Sequence, residues 1–130
     1  MSIDNERVVR DFLGAMGPTP ADIGAAVDRF LTEDCVWENP GSPVCRGREQ
    51  IMALMPPAFA QLVVRFRSVA VTGDTVLVER VEDMLRTDGT PIAANLKVAA
   101  AFELRDGRIS AWRDYFDITR LISESEDTAG

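Results

Sequence analysis

The chain contains no histidine among its 130 residues. Ser-His-Asp and Cys-His catalysis and imidazole-based metal sites are therefore excluded. Acid–base chemistry must use carboxylates, Tyr115, lysine, cysteine or water. One carboxylate stands out. In SAWRDYFDIT, residues 110–119, alternation puts Ser110, Trp112, Asp114, Phe116 and Ile118 on one face and Ala111, Arg113, Tyr115, Asp117 and Thr119 on the other. The second face can meet water. The first is apolar except for Asp114, and a buried unpaired carboxylate is too costly to be kept idle.

A partner for Asp114 lies in TVLVERVEDML. One parity of that run reads Val76, Val78, Arg80, Glu82, Met84; the other reads Leu77, Glu79, Val81, Asp83, Leu85. Arg80 and Glu82 share a face, about 7 Å apart along a strand. If the same face holds Asp114, an arginine lies between two carboxyl groups in an apolar cup. A guanidinium can hold both through its fork of donors, but it cannot neutralise two full negative charges. One carboxyl then stays protonated and the other ionised. An acid and a base side by side are what the opening of a ring by water needs. The same residues also fit a structural ion cluster, or strands whose charges face solvent. Trp37 and Asn39 share a face of CVWENP. Asn39 both donates and accepts, so it can orient a water; it equally suits a turn before Pro40, with Trp37 in the core.

The elements that position these residues follow from periodicity and punctuation. Val8, Val9, Phe12, Leu13 and Met16 form a helical stripe closed by Gly17-Pro18. A second helix opens with Thr19 as N-cap, Pro20 at N1 and Asp22 at N3, and buries Ile23, Ala26, Val27, Phe30 and Leu31. CVWENPGSPVC begins extended and turns at Asn39-Pro40-Gly41. GREQIMALM is a third helix, ended or kinked by Pro56-Pro57, with a short helical turn expected after it. From Leu62 onward, Gly73-Asp74, Asp88-Gly89 and Asp106-Gly107 separate four antiparallel strands near 62–72, 75–86, 92–105 and 108–118. Helices first and a meander after them make the class α+β. A single domain of 1–130 is expected, with 1–60 mainly helical, 61–119 a β-meander and 120–130 a frayed tail.

Composition narrows the setting. A hydrophobic content of 46% over 130 residues supports a full core. The 14 basic and 21 acidic residues leave a formal net charge of -7, which repels phosphate backbones, so no nucleic-acid partner is expected. No apolar run approaches the roughly 20 residues that span a bilayer. MSIDNERVVRDF lacks a signal-peptide core, so a cytoplasmic protein is expected. Cys35 and Cys45 read as two buried thiols rather than a disulfide or a zinc site.

ERVE followed by GRISAWRDYFDI, with WENP and then GRE upstream, resembles the limonene-1,2-epoxide hydrolase family. The likeness runs from about Val9 to Ile118, and WRDYFD is its most specific element. It implies a nuclear-transport-factor-2-like, polyketide-cyclase-like cone: a curved, mainly antiparallel sheet closed by N-terminal helices. It also implies one-step epoxide hydrolysis to a vicinal diol with no covalent intermediate, no metal and no cofactor. By position, Asp114 is the base that activates water, Arg80 bridges the carboxyls, Glu82 is the acid, and Asn39 holds the water with Asp114. The family usually has aspartate where Glu82 stands, which makes Asp83 a rival; Asp83 points to the opposite face unless a bulge intervenes. Trp37 replaces a tyrosine among the water-binding residues. Indole donates one hydrogen bond and accepts none, so an altered substrate range or slower hydrolysis is expected.

Leu13, Met16, Met52, Met55, Leu85, Leu96, Val98, Trp112 and Phe116 are the expected pocket lining, suited to a small apolar alicyclic or terpene-like epoxide. The resemblance also implies a homodimer. Three further readings share the pattern: a cyclase in which a substrate hydroxyl opens the epoxide, a ketosteroid-isomerase-like enzyme, and a binding module with a dead pocket.

Overall fold

The first helix begins where the sequence offers a cap. The Asp4 carboxylate accepts from the Arg7 amide at 3.1 Å, and α1 runs Asn5–Gly14 with Val9, Phe12 and Leu13 buried. It ends short of the Gly17-Pro18 pair, so Met16 sits in the following turn rather than on the helix. That turn is stitched to the sheet: the Leu62 amide donates to the Met16 carbonyl at 2.8 Å. Gly17, at φ +131°, lies so close to Gln61 that a Cβ would approach it to 2.7 Å, so only glycine fits. Helix α2 spans Pro20–Phe30 and opens on a capping box. Thr19 Oγ1 accepts from the Asp22 amide at 3.2 Å, and the Thr19 amide donates to Asp22 Oδ2 at 3.0 Å.

The computed structural model describes residues 4–120, so the expected tail lies, beyond Arg120, outside the described residues. Leu31 does not extend α2. It begins strand β1, Leu31–Glu38, which is followed by β2, Cys45–Arg46, and α3, Arg48–Leu54. Pro56 leads into a turn without a helical segment, and β3 starts at Phe59, earlier than Leu62. The remaining strands are β4, Thr75–Arg86, β5, Pro91–Arg105, and β6, Arg108–Tyr115. Asp106 and Gly107 both take positive φ (53° and 80°), the signature of a type I′ hairpin, so the Asp-Gly pair turns as expected.

The class is α+β. Six strands lie in the order β2-β1-β6-β5-β4-β3. Strands β3 to β6 form the antiparallel meander, β1 joins β6 in parallel, and β2 pairs antiparallel at the edge. Register shifts at Phe66/Ser68 in β3 and around Met84 between β4 and β5 bend the strands and curve the sheet. On its inner face, Val76, Val78, Phe102, Leu104 and Ile109 pack with α1 and α2 into one core. Farther along the same strands the helices leave space. There the inner face consists of Arg80, Glu82 and Met84 on β4 and Leu96 and Val98 on β5, and a pocket opens over them.

Cys35 and Cys45 are free and buried. Burial pushes the Cys35 thiol up to about 12, which keeps it an inert core residue. Among the described residues no helix is long and apolar enough to cross a membrane.

Candidate active site

Arg80 and Asp114 sit on strands that are not neighbours. Strand β5 runs between them, with Val98 opposite Arg80 and Ala100 opposite Asp114. The arginine side chain must cross β5 on the inner face, and the single methyl of Ala100 leaves it room. Arg80 Nε donates to Glu82 Oε1 at 2.7 Å, and Nη2 donates to Asp114 Oδ1 at 3.2 Å. Arg80 is 1%, Glu82 6% and Asp114 7% exposed, so this ion cluster is shielded from bulk water. Arg80 Nη1 is also buried and has no partner among the described residues. Such an orphan donor costs roughly 1–3 kcal/mol, and it is held in place only because two carboxyl groups fix the rest of the guanidinium.

Burial and charge pull on the cluster's groups in opposite directions. Burial holds the Glu82 carboxyl above the usual range; the Arg80 charge opposes this and the nearby Asp114 charge reinforces it. Burial alone would favour a neutral Arg80, but Asp114 and Glu82 outweigh it and the guanidinium stays charged. With one cation between two carboxyl groups, burial favours a proton on Glu82.

Asp114 is also gripped by indole. Trp112 Nε1 donates to Oδ1 at 2.8 Å, and Trp37 Nε1 lies 3.5 Å from Oδ2. Oδ1 therefore accepts two donors, whereas Oδ2 has one long contact. Trp37 is aimed at the carboxylate itself. Asn39 lines the pocket, and its side-chain amide has no protein partner among the described residues.

Asp83 stands elsewhere. Its carboxylate accepts from Arg65 Nη1 at 3.2 Å and from the Asn95 amide at 2.8 Å, on the outer face of the sheet. The bulge that might have turned Asp83 inward lies on the opposing strand. The Leu96–Glu82 and Ala93–Met84 pairings leave Ala94 and Asn95 as its extra length, with Asn95 at φ 54°. Asp83 caps that bulge, and the Arg65 bonds hold its carboxyl below the usual range.

Six of the nine expected lining residues reach the pocket: Met16, Met55, Leu96, Val98, Trp112 and Phe116. Three do not. Leu13 is fully buried in the core on the stripe of α1. Met52 packs against α2, with its Cε 3.9 Å from the position a Cβ on Gly24 would take. Leu85 has the wrong parity, and Met84, which shares the face of Arg80 and Glu82, takes its place. That parity signal was present in the sequence. So was the parity of Ile118 with Asp114, and Ile118 lines the pocket although β6 ends at Tyr115. Phe59 and Leu62 line it from β3, whereas Pro40, Ser42, Leu54 and Pro56 come from loops and a helix end. Their placement had no periodic signal to reveal it.

The result is a pocket of two characters: an apolar body, and one end holding a guanidinium, two carboxyls and a free amide. Comparisons with known proteins give the chain a family. The sequence profile of the limonene-1,2-epoxide hydrolase catalytic domain matches residues 3–126. The epoxide hydrolase EphG of Mycobacterium tuberculosis (strain ATCC 25618 / H37Rv) is 32% identical over 112 residues, spanning 85% of this chain and 71% of the relative. The solved structure of an M. tuberculosis LEH-like epoxide hydrolase superposes with a TM-score of 0.72 at 28% identity, covering 95% of this chain and 90% of that one. An NTF2-like protein of unknown function from Burkholderia pseudomallei K96243 superposes with a TM-score of 0.74 at 20% identity, covering 95% and 97% of the two chains, and so shares the cone fold.

Proposed function

The chain belongs to the limonene-1,2-epoxide hydrolase family, and from that premise we propose that it opens a small apolar cyclic epoxide with water, in one step, to a vicinal diol. The observation that supports this most is the buried bridge of Arg80 to Glu82 at 2.7 Å and to Asp114 at 3.2 Å, at the polar end of an apolar pocket. Asp114 Oδ2 takes a proton from a water that Asn39 helps to hold. The water oxygen attacks an epoxide carbon as the C–O bond breaks. Glu82, protonated, gives its proton to the departing oxygen. Asp114 ends protonated and Glu82 ionised, and a proton passes back between them to reset the site. Arg80 keeps both carboxyls in place and balances the one negative charge present at each stage.

Glutamate suits the acid position because burial holds its carboxyl above the usual range, which favours the protonated form. Partners in this reading are water, the epoxide and a second copy of the chain across the outer face of the sheet, where Leu77 and Tyr115 stand 44% and 58% exposed; sedimentation giving a monomer mass would remove the second copy. The reaction is tested by single turnover of a cyclic epoxide in ¹⁸O water. Label in the diol on the first turnover is expected. Unlabelled diol on that turnover would mean that a carboxylate oxygen had been transferred, and would sink the one-step route.

A further inference from the structure

Resting on the reading above, we propose that Trp37 is a positioning and specificity residue: it fixes the working oxygen of Asp114 and limits the pocket to one ring beside the epoxide. The first argument is register. Trp37 pairs with Trp112 across β1 and β6, and Phe102 pairs with Trp112 across β5 and β6. Three rings thus lie on one face of three adjacent strands. Trp37 and Trp112 stack at 4.6 Å and 20°, Trp112 and Phe102 at 5.8 Å and 18°. Phe12 from α1 braces Trp112 edge-on at 5.2 Å and 88°. Trp37 is the last rung of this ladder and lines the pocket. It cannot swing aside without giving up its stack on Trp112.

The second argument is where the N–H groups point. Both indoles reach Asp114, one on each oxygen. The Trp112 and Arg80 bonds hold Oδ1, and the longer Trp37 contact at 3.5 Å biases the turn of the carboxylate while leaving Oδ2 able to take a shorter bond from water. Indole has no acceptor. A water in the site can therefore give no proton to Trp37, and Oδ2 and the Asn39 side chain are acceptors that line the same pocket. The third argument is volume. The cavity is about 160 Å³, near the roughly 150 Å³ of an apolar cavity that holds benzene. A single ring fits that volume, but a ring fused next to the epoxide meets the Trp37 indole, which lines the pocket.

The test compares Trp37→Phe, Trp37→Tyr and Trp37→Leu on cyclohexene oxide and on a fused bicyclic epoxide. With cyclohexene oxide, Trp37→Phe should lower kcat about three- to tenfold with KM within about twofold, and Trp37→Tyr, which restores a donor, should recover most of the loss. An unchanged kcat in Trp37→Phe overturns the positioning role. The bicyclic-to-monocyclic ratio of kcat/KM should rise at least about tenfold in Trp37→Leu, since even one methylene in an apolar pocket is worth roughly 10–200-fold. A ratio equal to wild type overturns the size limit, and Trp37→Phe carries this comparison if the leucine variant does not fold. If wild type opens neither epoxide, the hydrolase reading fails, but the size limit is still read from binding. Cyclohexanol should bind at least about tenfold tighter than a decalin alcohol, followed by fluorescence of the chain's 2 tryptophans, both on the ladder. Equal binding of the two alcohols overturns it.

Discussion

Glu82 and Asp83 are adjacent on β4 and meet opposite environments. Each has an arginine: Arg80 beside Glu82 at 2.7 Å, Arg65 beside Asp83 at 3.2 Å. On the inner face the side chains are 1% and 7% exposed; on the outer face they are 45% and 28% exposed. Inside, burial outweighs the arginine and the carboxyl is pushed up; outside, the arginine and a backbone amide win and the carboxyl is pulled down. The difference shows that an arginine–carboxylate pair has no fixed chemistry. Water decides whether the pair stores a proton or merely ties strands together.

The largest effect should come from Asp114→Asn, which leaves the cluster's shape but removes the proposed base. A fall in kcat of at least about 10³-fold is expected, near the upper range for a general base, with the fold intact by circular dichroism. Activity within tenfold of wild type would place the base elsewhere.

Glu82→Gln sharpens the contrast because its two effects have opposite signs. Diol formation should fall by roughly 10²–10⁴-fold, since the amide has no acidic proton to give. Stability should rise at alkaline pH. The folded state holds the Glu82 proton more tightly than the unfolded chain, whose value is near 4.5, so folded wild type loses stability as pH rises from there toward the raised folded value. Glutamine removes that loss. Its Tm should exceed wild type by about 2–5 °C per kcal/mol of penalty at pH 8, and match wild type at pH 4. A lower Tm for Glu82→Gln at pH 8 would refute the raised value.

Asp83→Asn should do least. Its activity should stay within about twofold of wild type. The loss of stability at pH 7 should be at most about 1 kcal/mol, because the pair with Arg65 is half open to solvent. The sign is reversed here: the contribution is present above the unfolded value of 3.8 and fades as pH falls through the lowered folded value. Loss of diol formation in Asp83→Asn would reinstate it as the acid.

Much of this arrangement was legible in local patterns. The capping box at Thr19, the Asp-Gly hairpins, the inward face of Trp112, Asp114 and Phe116, and the shared face of Arg80 and Glu82 all depend on residues a few positions apart. Expectations failed where distance or solid packing decided. Leu13 and Met52 are apolar residues of the right kind, but whether an apolar side chain lines space or fills it depends on what lies opposite. Leu85 failed for a local reason: alternation already assigned that place to Met84.

What the sequence determined by itself was which residues share a face, because a strand alternates with period two whatever surrounds it. It thereby set Asp114 among apolar neighbours and Arg80 beside Glu82, and kept Asp83 away from them. What only the tertiary structure decided was that these two faces are one. The sheet order places β5 between β4 and β6, and Ala100 lets Arg80 reach across. The parallel pairing of β1 with β6 brings Trp37 onto Trp112 over a separation of 75 positions, close enough to reach Asp114. Contacts at that range depend on closing the chain into a curved sheet, and burial in the resulting pocket is what lifts the Glu82 carboxyl above the usual range.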